Sequence, residues 1–119
     1  MKKSIVKEKS KVFALNVINL YKYLTIDKRE YVISKQLLRS GTSIGANVNE
    51  ALCSISKKEY LSKMYISYKE ASESQYWLEL LKESNYINEY DFDAINKKCE
   101  ELRKILSSIT KTTKENLNP

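Results

Sequence analysis

The densest run of side chains able to do chemistry is Arg39-Ser40-Gly41-Thr42-Ser43-Ile44-Gly45-Ala46-Asn47-Val48-Asn49-Glu50-Ala51. On a helix turning about 100° per residue, Arg39, Ser43, Asn47 and Glu50 share an arc of about 80°. A second polar stripe, Glu70, Glu73 and Trp77, has the same helical spacing. An arginine facing two carboxylates can move protons or form an ion pair. The rest of the chain offers little support for catalysis. It contains no His, which removes an imidazole base, the His-paired nucleophiles and imidazole metal ligands. Ferritin-like centres need Glu-x-x-His pairs and fail for the same reason. Gly41-x-x-x-Gly45 is not a phosphate loop, because no Gly-Lys-Ser/Thr follows. The expectation is therefore no catalytic residue, no metal and no cofactor. Arg39 is expected to pair with Glu70 or Glu73, supported by Ser43 and Asn47, between helices or between subunits. Such a pair sets specificity more than stability. The alternative is a solvated helix flank.

Two other residue classes bear on partners. Nine Tyr and one Trp exceed what one small core hides. Exposed Tyr and Trp suit protein interfaces, and they also stack on bases beside Lys. Their even spread favours an interface over a single stacking platform. The lysines are not evenly spread. Residues 1–26 hold six Lys (Lys2, Lys3, Lys7, Lys9, Lys11, Lys22) and one Glu, almost all of the +6 surplus. A one-ended basic surplus attracts RNA, DNA or an anionic surface; equally, lysines keep an exposed helix soluble.

The elements that must carry these groups are helices. The chain has 119 residues, enough for one domain spanning 1–119. It has two Gly and one Pro, the last residue, too few for the many turns of a β-sandwich or doubly wound fold. Val6, Phe13, Val17, Leu20 and Leu24 mark one helical face. Leu37, Ile44, Val48, Ala51 and Ile55 mark a second, in a segment from about Arg29 to Ser54. Gly41 and Gly45 lie beside that stripe at a cost of roughly 1 kcal/mol each relative to Ala, which points to close backbone approach or a kink. Ser56-Lys57-Lys58-Glu59 is a capping box, opening a third segment with Tyr60, Met64, Ser67, Ala71, Ser74, Leu78 and Leu81 at 4-3 spacing. A fourth starts near Asn88 or Asp91 and carries Phe92, Ile95, Cys99, Leu102, Leu106 and Ile109. Residues 111–119 are polar and are expected to fray. The prediction is an all-α, up-down-up-down antiparallel four-helix bundle. Cys53 and Cys99 lie far apart without a CxxC, so Cys99 reads as a small buried hydrophobe. With no secretion signal and no apolar run long enough to span a bilayer, a soluble cytoplasmic protein with no membrane partner is expected.

Leu38-Arg39-Ser40-Gly41-Thr42-Ser43-Ile44-Gly45-Ala46-Asn47-Val48-Asn49-Glu50-Ala51, followed by Lys69-Glu70-Ala71-Ser72-Glu73-Ser74-Gln75-Tyr76-Trp77-Leu78-Glu79-Leu80-Leu81, resembles the four-helix-bundle proteins of the 23S rRNA-intervening-sequence family. The family takes its name from genes inside insertions in ribosomal RNA genes. A related branch, the accessory variability determinant of diversity-generating retroelements, is strongly basic, binds nucleic acid and partners a reverse transcriptase. The resemblance implies a ring-shaped homo-oligomer, most often a pentamer, without enzyme activity. It places Arg39, Ser43, Asn47 and Glu50 in structural or inter-helix contacts. Unlike that branch, this chain keeps its basic surplus to the first helix. Two function classes follow: a nucleic-acid-associated oligomer, and a protein–protein scaffold that uses exposed Tyr and Trp.

Overall fold

A computed structural model describes residues 4–117. They form four helices: α1 (Ile5–Ile26), α2 (Ile33–Leu52), α3 (Lys57–Glu83) and α4 (Glu89–Leu117). Each is joined to the next by a short connection, so successive helices run antiparallel. Each packs on two neighbours, with α1 and α4 closing the bundle most sparsely. The molecule measures 50 × 24 × 21 Å. The all-α four-helix bundle expected from the sequence is the observed fold.

The predicted seams are the core. Phe13, Val17 and Leu24 of α1, Leu37, Ile44 and Val48 of α2, Met64, Ala71, Leu78 and Leu81 of α3, and Cys99, Leu102 and Leu106 of α4 are buried. Burying one such aliphatic or aromatic side chain contributes about 1.5–3 kcal/mol. Ile55 is the exception: it is 96% exposed, because α2 ends at Leu52 before the stripe reaches it.

The α2–α3 seam is lined with small polar residues that satisfy one another. The Ser40 and Ser74 hydroxyl oxygens lie 2.8 Å apart, and Ser67 Oγ donates to the Ile44 carbonyl at 2.8 Å. Both are fully buried contacts, so the hydroxyls are hydrogen-bonded rather than orphaned.

The helix starts follow capping chemistry. Ser56 Oγ accepts from the Glu59 N–H at 3.1 Å, as the capping box predicts. Glu59 reaches back to the Ile55 N–H at 3.4 Å, one residue before the expected Ser56 amide. Asn88 Oδ1 caps α4 by accepting from the Asp91 N–H at 2.7 Å. Helix α2 begins at Ile33 rather than near Arg29. Arg29 adopts a left-handed backbone with φ 55°, and Glu30 then folds its carboxylate onto the first turn of α2. Helix α4 runs on through Thr110 to Leu117, carrying residues of the polar tail alongside α3.

The two glycines sit between α1 and α2. A Cβ on Gly41 would lie 2.8 Å and 2.9 Å from the two Val17 methyls. A Cβ on Gly45 would lie 3.3 Å from Ser10 Oγ. The tight approach is therefore at Gly41, and neither glycine breaks the helix.

Candidate functional site

Antiparallel pairing of α2 and α3 brings the two polar stripes together. Arg39 Nη1 donates to Glu70 Oε2 at 2.9 Å and Nη2 to Glu73 Oε1 at 2.6 Å. Trp77 Nε1 also donates to Glu73 Oε1, at 3.2 Å. One arginine thus clamps two carboxylates of its own chain. The guanidinium holds the Glu73 carboxyl below its usual range; burial opposes this, and the Trp77 N–H adds to it. Ser43 and Asn47 take no part in the clamp. Ser43 Oγ donates to the Arg39 carbonyl at 2.6 Å, and Asn47 Nδ2 donates to the Ser43 carbonyl at 2.8 Å. Glu50 pairs instead with Lys63 of α3, at 2.9 Å. Both carboxylates of the clamp are paired with Arg39, and the depressed Glu73 carboxyl is ionised at neutral pH rather than poised as a general acid. Arg39→Ala is expected to lower stability by no more than about 1 kcal/mol, because the guanidinium is half exposed and screened. Urea denaturation of the two proteins would measure this; a loss well beyond that would show that the clamp organises more than its own contacts.

Cys99 is equally quiet. Burial pushes its thiol up to about 12, and Sγ donates to the Ala71 carbonyl at 3.3 Å. It is a packed thiol rather than a nucleophile. Cys53 is exposed and free. Among the described residues, no group of three or more His, Cys, Asp or Glu could hold a metal ion. No described helix is long and apolar enough to cross a membrane.

The lysines of α1 divide into two sets. Lys9 Nζ pairs with Glu101 of α4 at 3.0 Å. Lys7, Lys11 and Lys22 fall within an arc of about 60° on the α2 side, exposed, with no ion pair to any described residue. Lys2 and Lys3 lie outside the described residues. Beside the lysine arc runs an apolar stripe the sequence reading missed: Ile5, Val12, Leu15, Tyr23 and Ile26 are 64%, 48%, 53%, 39% and 73% exposed. Their spacing puts all five within about 80° of one another. The signal was present in the sequence as a second apolar face on α1, hidden beside the stronger core face.

The comparisons agree with this architecture. Residues 2–108 match the 23S rRNA-intervening sequence protein family. The chain belongs to that family. A crystal structure of a protein of unknown function from the S23 ribosomal protein family of Bacteroides thetaiotaomicron is 48% identical and superposes with a TM-score of 0.89. The match covers 90% of this chain and 99% of that one. No curated protein matches the sequence. Within one subunit, Arg39 and Glu50 tie α2 to α3 along their exposed edge, whereas Ser43 and Asn47 bond back along α2.

Proposed function

We propose that this protein of the 23S rRNA-intervening sequence family is a non-enzymatic, cytoplasmic homo-oligomer that binds RNA or DNA through the lysines of α1. One observation supports it above the others: Lys7, Lys11 and Lys22 line one exposed arc without carboxylate partners among the described residues, directly beside an uncovered apolar stripe. The stripe is a surface suited to a second copy of the chain, since contiguous exposed apolar area marks association sites. The resemblance to ring-forming bundles makes five the expected subunit number. A ring of this kind repeats the lysine arc around its rim, building a cationic field no single subunit has. Phosphate contacts of this kind carry no base specificity.

Binding should therefore be sequence-independent and steeply salt-dependent. Fluorescence anisotropy with labelled RNA and DNA at about 50 and 200 mM salt tests this. Replacing Lys7, Lys11 and Lys22 together by Ala should weaken binding alike for all sequences and reduce the slope of log K against log salt by roughly three, one per phosphate contact per subunit. Absence of binding at the lower salt would reject the reading. Sedimentation velocity tests the assembly: a monomer at high concentration would reject that part.

A scaffold reading has its own support. Tyr31, Val32 and Tyr90 are 59%, 73% and 83% exposed near the end of the bundle formed by the α1–α2 and α3–α4 connections. A reverse transcriptase or another protein partner held there would bind with little sensitivity to salt. Trp77 does not belong to that surface, since its indole is engaged with Glu73.

A further inference from the structure

The positive charge is not confined to α1 once the helices are assembled. A plane across the bundle near Ser10, Gly45, Ser67 and Leu102 follows from the contacts between neighbouring helices. On one side lie residues 4–11, 45–67 and 102–117, with ten Lys and Arg against four Glu. On the other side, nine basic groups face eleven acidic ones. The bundle is electrically polarised along its length, and α3 and α4 contribute to the positive end although each is neutral overall.

At that end, an open groove of about 620 Å³ runs between α3 and α4. Its walls carry Lys58, Lys111 and Lys114 and the rings of Tyr65 and Tyr68, and among the described residues no carboxylate lines it. The two rings are stacked, with centroids 6.2 Å apart and planes 24° from parallel. Tyr65 is 51% exposed, and Lys69 Nζ lies 5.7 Å from its ring centroid. Flat aromatic surface and cations therefore converge in one place. Stacked rings with lysines beside them recognise an unpaired base and its phosphate, whereas a duplex hides its base faces. A volume in this range is ordinary for a small-molecule-sized site.

We infer that the α3–α4 groove binds single-stranded nucleic acid, with a base on the Tyr65 ring and the adjoining phosphates among Lys58, Lys111 and Lys114. The inference rests on the nucleic-acid reading for its kind of ligand, but on a separate set of residues on the other side of the bundle from the α1 arc. It makes the protein a reader of unpaired strand rather than of any polyanion.

The test compares anisotropy of a labelled single strand of about 15 nucleotides with that of the same sequence as a duplex, using the full chain. The single strand should bind at least about tenfold more tightly. Tyr65→Ala should weaken single-strand binding by about tenfold, the usual scale for one stacked base, and Tyr65→Phe should preserve it. Lys111→Ala should weaken it and lower its salt slope. Adenosine monophosphate should displace the strand better than inorganic phosphate, because only the nucleotide offers a ring. Circular dichroism melts and sedimentation check that Tyr65→Ala keeps its fold and oligomer size. Equal affinity for strand and duplex, or a Tyr65→Ala variant that binds the strand normally, overturns the inference. A change of oligomer size in that variant overturns it too, by assigning the groove to a subunit contact. If the strand is lost in Tyr65→Ala but kept when Lys7, Lys11 and Lys22 are removed, the groove stands and the α1 reading fails. The reverse pattern sinks the groove alone.

Discussion

Gly41→Ala should destabilise the bundle by about 2 kcal/mol, while Gly45→Ala should be neutral or slightly stabilising. Two opposed effects decide each sign. Alanine in a helix interior is favoured over glycine by about 1 kcal/mol. Against that stands the space the new methyl must occupy. At position 41 it would meet both Val17 methyls inside 3.0 Å. Val17 is fully buried, and a β-branched side chain in a helix has essentially one rotamer. It cannot swing aside, so α1 must move off α2, and overpacking of this kind costs about 1–3 kcal/mol or more. At position 45 the nearest atom is the Ser10 hydroxyl oxygen at 3.3 Å, and a shift of a few tenths of an ångström there forfeits little. Helix propensity wins at 45 and loses at 41.

Val17→Ala supplies the matching test. Alone it opens a cavity under α2 and costs about 2 kcal/mol. Combined with Gly41→Ala, the two methyl changes offset one another, and the double variant should lose about 1–2 kcal/mol less than the sum of its parts. Thermal and urea unfolding of the four proteins would measure this. Additivity, or a Gly41→Ala protein as stable as the parent, would show that the α1–α2 gap closes only apparently.

The contrast between the glycines illustrates what the sequence makes legible. That Gly41 and Gly45 mark a close approach follows from their cost inside a helix. Which of them is the tight one does not, because that depends on whether Val17 or Ser10 sits opposite, a matter of helix register. The core seams are legible because a strong 3-4 spacing of Leu, Ile, Phe and Val has one solution. Ile55 breaks the pattern because a spacing rule does not see a helix end three residues earlier. The partners of Arg39 are legible as residue types, whereas Ser43 and Asn47 turn out to bond back along their own helix, as short polar side chains do. The α3–α4 groove stays hidden in the sequence because Lys111 and Lys114 lie in a stretch whose polarity suggests fraying. Packed alongside α3, the same stretch puts those lysines opposite Tyr65. Glu30 is the least legible of all: nothing in its neighbours distinguishes it from any loop carboxylate.

Glu30→Ala should lower stability by about 2–4 kcal/mol at neutral pH, more than any surface charge of this chain warrants. The reason is the backbone at the start of α2. The first turn of a helix leaves its N–H groups without intrahelical partners. Glu30 answers three of them: Oε2 accepts from Val32 N at 3.1 Å and from Ile33 N at 2.9 Å, and Oε1 accepts from Ser34 N at 2.6 Å. Only 7% of the residue is exposed; water can reach the part-buried Val32 and Ile33 amides but not the buried Ser34 amide, and abandoning a buried donor is costly. The negative charge also sits at the positive end of the helix dipole. Burial alone pushes the Glu30 carboxyl up, but the three amides and the Ser34 hydroxyl outweigh it and hold the group below its usual value. A carboxyl depressed in the folded state adds stability that is fully present above its unfolded value of about 4.3 and is lost as pH falls through its folded value. The gap between the parent and Glu30→Gln should therefore be widest near pH 7 and narrow steadily below about pH 4. Urea unfolding of both proteins at pH 7, 5 and 3 would show this convergence. A constant gap would mean that the carboxyl holds α2 by shape alone, with its charge contributing nothing.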